Sequence, residues 1–161
     1  MSKALTKIFE GRFTAQLDKP VVMFVIGMRI NRLSDFGRWM FVAAAMPKML
    51  KELQAAPDSG LISVTPYIRW RELLSIQYWE SFEQLLAYAH DKTGEHFPAW
   101  AEFNRRVGFD GKVGIWHETY LVEPGKFECV YGNMPRYGLA RAGNHVRAEG
   151  RLVGAKSRMA G

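Results

Sequence analysis

The segment VVMFVIGMRI, residues 21–30, determines the architecture that the sequence predicts. This near-continuous apolar run has the length of a strand and is typical of a strand buried on both faces. It is far too short to cross a bilayer as a helix. A strand with two apolar faces needs a cover on both sides of its sheet, and helices commonly supply one of them. In a chain of 161 residues, a second copy of the chain is the simplest cover for the remaining face of the sheet.

A helix is predicted after this strand. Ser34 is a good N-cap, and apolar residues recur at steps of three and four between Phe36 and Leu53, which places them on one helix face. Pro47 lies inside the pattern and predicts a kink, because proline lacks the backbone N–H.

Two strands then predict a tight antiparallel hairpin, LISVTPYIRW at 61–70 and ELLSIQYW at 72–79. Pro66 cannot donate to a strand ladder, so the first of them is predicted at an edge or a bulge. Ser81 and Gln84 match the capping box of a second helix, which Pro98 restarts.

The last predicted strands are GKVGIWHETY, residues 111–120, and a short one within KFECVYGN, residues 126–133, returning beside it. The order is then β-α-β-β-α-β plus a C-terminal strand, an α+β chain of ferredoxin-like type. Two such sheets packed face to face form a dimeric α+β barrel, so we expect a homodimer. One domain is predicted over 1–142, with a polar N-terminal lead-in and a basic, weakly ordered tail over 143–161.

Charge and cysteine content exclude several classes of function. The net charge is +6, and after Gly132 six basic residues face one acid, Glu149. We interpret this as a solvated tail, since no nucleic-acid motif accompanies it. Cys129 is the single cysteine, which excludes an intrachain disulfide. With no signal peptide and no spanning segment in the sequence, the chain is predicted to be cytoplasmic, with no membrane or nucleic-acid partner.

Several blocks together resemble one family. They are VVMFVIGMRINR, MPKMLKEL, IQYWESFEQLLAYAHD, AWAEFNR, VGIWHETY and YGNMPRYGLARA. Over roughly residues 10–142 the chain resembles the fumagillin-cluster monooxygenase-like family of the dimeric α+β barrel superfamily. That superfamily includes monooxygenases of antibiotic biosynthesis that use no cofactor, haem-binding oxygenases and dehydratases, and non-enzymatic barrels. The resemblance implies a site on the sheet or inside the barrel.

His117 and Glu118 are adjacent in sequence but are predicted to point to opposite faces of their strand. His117 is the candidate for proton transfer, because imidazole exchanges a proton near neutral pH, or for the axial ligand of a haem. Glu118 is a catalytic candidate whose alternative is an ion pair with Arg29, Arg32 or Arg38.

Further candidates surround this strand. Arg29 would stabilise developing negative charge, with an ion pair as its alternative. A register that sets Gly27 opposite Ile115 and Val25 opposite His117 would leave a gap at Gly27 beside the imidazole. The substrate-binding candidates are Gly27, Asn31, Gln77, Trp79, Trp116 and Tyr120.

Three functions stay open at this point. The first is a monooxygenase-like enzyme of secondary metabolism that acts on a small apolar organic molecule without a cofactor. The second is a haem-binding oxygenase or dehydratase. The third is a non-catalytic dimeric barrel that acts as a ligand-binding protein or as a stress protein. The sequence contains no P-loop, nucleophile elbow, dinucleotide fingerprint or H-E-x-x-H metal motif.

Overall fold

The computed structural model describes residues 7–56, 58–91, 101–105, 107–108 and 110–159. The regular elements, in chain order, are β1 (Phe9–Gln16), β2 (Val21–Ile30), α1 (Phe36–Ala55), β3 (Leu61–Arg69), β4 (Glu72–Trp79), α2 (Phe82–His90), β5 (Val113–Val122), β6 (Tyr131–Met134), β7 (Asn144–Arg147) and α3 (Ala155–Met159). Residues 101–105 are helical as well. The restart predicted at Pro98 lies outside the described residues.

The larger sheet has four strands in the order β3-β4-β2-β5. With β2, α1, β3, β4, α2 and β5 in sequence, this order is that of the ferredoxin-like fold, and the predicted α+β class is confirmed. β3 and β4 pair antiparallel from Leu61↔Trp79 to Arg69↔Glu72, which confirms the hairpin. β3 lies at the sheet edge, as Pro66 predicted, because an edge strand tolerates a missing ladder donor.

The helices follow their local signals to different degrees. The Ser81 side chain accepts a hydrogen bond from the Gln84 amide, 3.2 Å away, so the predicted cap of α2 is confirmed. For α1 the N-cap is Asp35, one residue later than predicted, and it makes no side-chain cap bond. Pro47 lies within the continuous α1.

The core of this part of the chain lies on one face of the four-stranded sheet. Buried Met28 and Ile30 of β2 and Val113 of β5 cluster with Phe103 and Val107, and α1 adds Trp39, Phe41, Val42 and Ala43. We call this side of the sheet the helix face and the opposite side the second face. The apolar side chains of β2 on the helix face therefore form part of the core that the hydrophobicity of this strand predicted.

A second sheet, with the order β6-β1-β7, differs from the sequence prediction. The predicted lead-in is the central strand of this sheet, and β6 pairs with β1 rather than returning beside β5. Phe13, Thr14 and Ala15 are buried there. The charges of Glu10 and Arg12 masked the strand, because they occupy exposed positions outside its buried run.

Secondary structure also continues past residue 142, where the sequence predicted a weakly ordered tail. β7 pairs with β1 from Phe13↔Arg147 to Gln16↔Asn144. Arg158 donates to the carbonyl oxygens of Leu152 and Val153, each at 2.7 Å, and pairs with Glu128. Part of the positive charge of this segment thus stabilises the fold through Arg158. The net charge of the segment does not show which basic residues have such structural partners.

By their contacts the described residues form two compact units. One unit comprises the chain up to Met23 and from Tyr120 onward, and the other is Phe24–Thr119. The boundary predicted at residue 142 stays a prediction. In the part of the chain that the structure describes, no helix combines the length and apolar character needed to cross a bilayer.

Candidate functional site

The pairing of β2 with β5 differs by one residue from the predicted register. The Asn31 amide donates to the Lys112 carbonyl at 3.0 Å, and a Cβ on Gly114 would lie 3.9 Å from the Cβ of Arg29. Arg29 is therefore level with Gly114 and not with Val113. The Asn31 side chain reinforces this register, because its amide donates to the Gly111 carbonyl at 3.0 Å.

This shift moves Gly27 away from His117. A Cβ built on Gly27 would lie 2.9 Å from the indole Nε1 of Trp116 and 3.0 Å from the Cβ of Leu74. The absent side chain is thus replaced by Trp116 and Leu74 of the neighbouring strands. The predicted gap beside His117 was wrong, because a slip of one residue exchanges the faces of a strand.

The contacts of Gly27 also sort the candidates by face. Gly27, Leu74 and Trp116 share the second face, so alternation places Arg29 and Asn31 of β2 and Glu118 and Tyr120 of β5 there too. Val113 packs into the core on the helix face, and His117 lies four residues further along the same strand, on that same face. The divergence of His117 and Glu118 thus follows from the strand geometry, as predicted.

Arg29 is engaged in an ion pair on the second face. Its guanidinium lies 2.5 Å from the Glu72 carboxylate of β4, and the side chain is 55% exposed. Arg38, a predicted partner of Glu118, instead pairs with Asp110. Hydrogen bonding from Lys112, with a smaller contribution from Arg38, lowers the pKa of Asp110 to about 2. Arg29 therefore forms an ion pair, which was the predicted alternative to a catalytic role, but its partner is Glu72 and not the predicted Glu118.

His117 has an aromatic neighbour that the sequence did not single out. The ring centroids of His117 and Phe24 are 5.6 Å apart, with the rings tilted by 44°. His117 itself is exposed. Phe24 belongs to the apolar segment 21–30. It lies four residues before Met28, so the alternation of side chains along the strand places both on the helix face.

Buried polar side chains line β4 on the helix face. Trp79 donates from Nε1 to the Gln77 carbonyl oxygen at 2.9 Å, and the Gln77 amide nitrogen lies 3.1 Å from Ser75 Oγ. All three residues are buried, and Trp79 contacts Tyr88 of α2. The bonds satisfy groups that would be costly to bury unpaired and fix the orientation of the Gln77 amide. The sequence missed Ser75, although its period-two spacing from Gln77 and Trp79 could have shown it.

The strand order connects this polar row to His117. β2 lies between β4 and β5, so its helix-face side chains, including Phe24, lie between Gln77 and His117. The structure thus groups His117, Gln77 and Trp79 on one face, and it groups Gly27, Arg29, Asn31, Trp116, Glu118 and Tyr120 on the other. The predicted residues cannot all serve one site within a single chain.

A cavity of about 440 Å³ lies between the C-terminal part of α1 and α2. Its lining includes Glu52, Leu53, Gln84, Tyr88 and Asp91, and none of the predicted site residues lines it. Among the described residues, no group of three His, Cys, Asp or Glu side chains is arranged to hold a metal ion.

Solved structures with a similar fold include two enzymes. An aldoxime dehydratase in complex with butyraldoxime is 13% identical, with a TM-score of 0.50 over 82% of this chain and 44% of that one. SnoaB, a cofactor-independent oxygenase from Streptomyces nogalater, is 10% identical, with a TM-score of 0.46 over 64% of this chain and 93% of that one. A dimeric ferredoxin-like protein from an uncultured marine organism is 20% identical, with a TM-score of 0.42 over 65% of this chain and 96% of that one. At these identities the likeness concerns the fold.

The family comparison reaches further than the fold. None of the curated proteins compared with the chain matches it. The model of the monooxygenase af470-like family, by contrast, matches residues 21–139, well over half of the chain. The match begins at the first residue of β2 and includes the strands that form both faces of the sheet. The chain therefore belongs to the monooxygenase af470-like family, which confirms the predicted resemblance and the oxidoreductase-like enzyme that it implied.

Proposed function

We propose that this chain oxygenates a small apolar organic molecule on the helix face of its sheet and that His117 transfers the proton. The observation that carries the proposal is the pairing of an exposed imidazole with the Phe24 ring, 5.6 Å away, on the face that packs against helices. An apolar substrate would lie against Phe24 with an acidic C–H group near His117. The membership in a monooxygenase family supplies the reaction class.

The proposed reaction needs no cofactor when the substrate carries an acidic CH₂ group. His117 takes a proton, and the resulting carbanion delivers electrons to O₂. One oxygen atom becomes the carbonyl oxygen of the product, and the other leaves as water with both hydrogens of the CH₂ group. The protein contributes a positioned base and an apolar surface that limits the access of water.

The buried row on β4 has a supporting role in this proposal. Because Trp79 holds the Gln77 carbonyl oxygen, the amide nitrogen of Gln77 faces Ser75. Its second N–H would donate to the substrate oxygen that becomes negative after proton loss. Arg29 and Glu118 lie on the second face, so we assign them no step in this site.

The alternative with haem on His117 has no supporting contact among the described residues. Phe24 is the ring in contact with His117 among the described residues, and the cavity of about 440 Å³ is lined by other side chains. We derive no step through haem, and an absorption spectrum after incubation with haemin tests this directly.

We further propose that two copies pair through the second face. Trp116 and Tyr120 are 40% and 46% exposed there, on a strand whose other face also carries apolar residues. A second copy would cover these aromatic rings and form a dimeric α+β barrel. The site on the helix face would then lie outside the sheet-to-sheet contact.

The experiment that tests the proposed function is O₂ uptake with anthrone, an aromatic ketone with an acidic CH₂ group, as the probe. We expect uptake by the wild-type protein and a loss of about 100-fold or more in His117→Ala, since general acid–base catalysis contributes that much. His90→Ala, which removes another exposed histidine at the end of α2, is the matched control and should keep full activity. Equal uptake by all three proteins would contradict the role of His117.

A further inference from the structure

The turn between β3 and β4 exposes two large apolar side chains. Ile68 and Trp70 are each 83% exposed, the highest values among the large apolar residues that the structure describes. We call residues 68–71, Ile-Arg-Trp-Arg, the hairpin tip. Single exposed apolar side chains are ordinary on a protein surface, but a tryptophan and an isoleucine together at one tight turn are not.

The hairpin tip is also positively charged. Arg69 is 87% exposed and lies 3.9 Å from Glu72, the acidic residue that follows the turn. Glu72 is already paired more closely with Arg29, at 2.5 Å. Because Arg29 neutralises this carboxylate, the exposed guanidinium of Arg69 gives the tip a net positive charge, while Arg71 is half-buried.

The sheet holds the tip in place. The pairing of β3 with β4 runs without interruption from Ser63↔Tyr78 to Arg69↔Glu72, right up to the turn. The Ile30 amide donates to the Arg71 carbonyl at 2.8 Å, which ties the turn to β2 as well. The side chains are therefore presented on a fixed backbone, so little backbone order would be lost on docking.

We propose that the hairpin tip docks peripherally on an anionic lipid surface. A tryptophan ring is favoured at the headgroup level, isoleucine enters the acyl boundary, and each arginine near the surface is attracted by anionic headgroups. The charge and the apolar side chains of the tip match both parts of such a surface. This contact differs from a spanning segment, for which no helix among the described residues is long and apolar enough.

A second copy of the chain fits the tip less well. A buried tryptophan contributes about 150–250 Å², and Ile68 adds less than that. A stable protein interface needs roughly 800 Å² on each partner, so a convex turn of this size falls well short. A bilayer has no such threshold, because each inserted side chain contributes independently.

The test is co-sedimentation of the full chain with vesicles of phosphatidylglycerol and phosphatidylcholine, compared with vesicles of phosphatidylcholine alone. We expect binding to the anionic vesicles that salt weakens. Trp70→Ser should lower the partition coefficient about tenfold, from the lost burial of a large apolar side chain. Arg69→Gln should lower it about fivefold, from one lost charge near the surface.

Matched controls separate the tip from the general surface of the protein. Val153→Ser removes another exposed apolar side chain, and Arg151→Gln removes another exposed arginine; both should bind as the wild type does. The proposal is overturned by a lack of vesicle binding, by binding that the tip variants leave unchanged, or by equal losses in the controls. A native mass that falls in Trp70→Ser would also overturn it, by showing that a second copy occupies the tip.

Discussion

Gly27 of β2 leaves room for two side chains of the neighbouring strands. A glycine in an apolar strand predicted an open space, but the structure fills that space with the Trp116 indole and Leu74. Hydrophobic alternation alone does not fix which residue of β5 lies beside it. The Asn31 contacts with Gly111 and Lys112 fix the register, and they are specific to the end of the strand pair.

Gly27→Ala should destabilise the fold by about 1–3 kcal/mol, as overpacking of a well-packed site does. The new Cβ would lie within 3.1 Å of the Leu73 backbone oxygen, which cannot move aside cheaply. Gly37→Ala in α1 is the matched control, because no described atom lies within 4 Å of its Cβ position, and it should stabilise by up to about 1 kcal/mol. Urea unfolding measures both, and a Gly27→Ala variant as stable as the wild type would contradict the close contact.

His145 predicts a pH dependence of stability. Its ring stacks on Phe13 at 4.5 Å, and both ring nitrogens are buried with no hydrogen-bond partner among the residues that the structure describes. Burial lowers the pKa of His145, and the positive charge of Arg136 lowers it further. As the pH falls below about 6.5, the unfolded chain takes up a proton that the folded chain resists, so the free energy of unfolding decreases.

This dependence should weaken in His145→Phe, which keeps an aromatic ring beside Phe13 and removes the titrating group. Urea unfolding at pH 7.5 and at pH 5 gives the comparison. The exposed His90, changed to Phe, should leave the slope close to that of the wild type. An undiminished slope in His145→Phe would show that another group causes it.

Among the secondary-structure elements, the sequence correctly predicted those that are determined by contacts between residues close in sequence. The Ser81 cap, the β3–β4 hairpin and the edge position of Pro66 are each set by residues near in sequence. The β6-β1-β7 sheet was missed because its pairs join residues more than a hundred positions apart, such as Arg12 and Gly132. The predicted site residues lie on two faces of the sheet for a related reason. Period-two alternation shows which residues of one strand share a face, but it does not show how two neighbouring strands are aligned.

The two helix starts offer a direct test of capping. Ser81→Ala should cost about 0.5–2 kcal/mol, because the Gln84 amide loses its acceptor at the start of α2. Asp35→Ala should cost less, since Asp35 makes no side-chain cap bond at the start of α1. Thermal unfolding of the two variants measures the difference, and a larger loss in Asp35→Ala would contradict the assignment of the caps.

For the whole molecule, we propose a homodimer in which the second faces of the two copies are in contact. Light scattering should give twice the 18.4 kDa mass of the chain. Tyr120→Glu places a charge on the second face and should shift the mass toward that of one chain. Leu121→Glu, the adjacent residue on the opposite face, is 65% exposed and should leave the mass unchanged. Equal effects of the two changes would contradict pairing through the second face.

The proposed activity of this chain is the insertion of oxygen from O₂ into an apolar substrate with the help of His117. Mass spectrometry of the product formed from anthrone under ¹⁸O₂ tests it most directly. We expect one heavy oxygen atom in the product of the wild-type protein and at most background product with His117→Ala. A product that carries no label, or equal labelled product from His117→Ala, would contradict it.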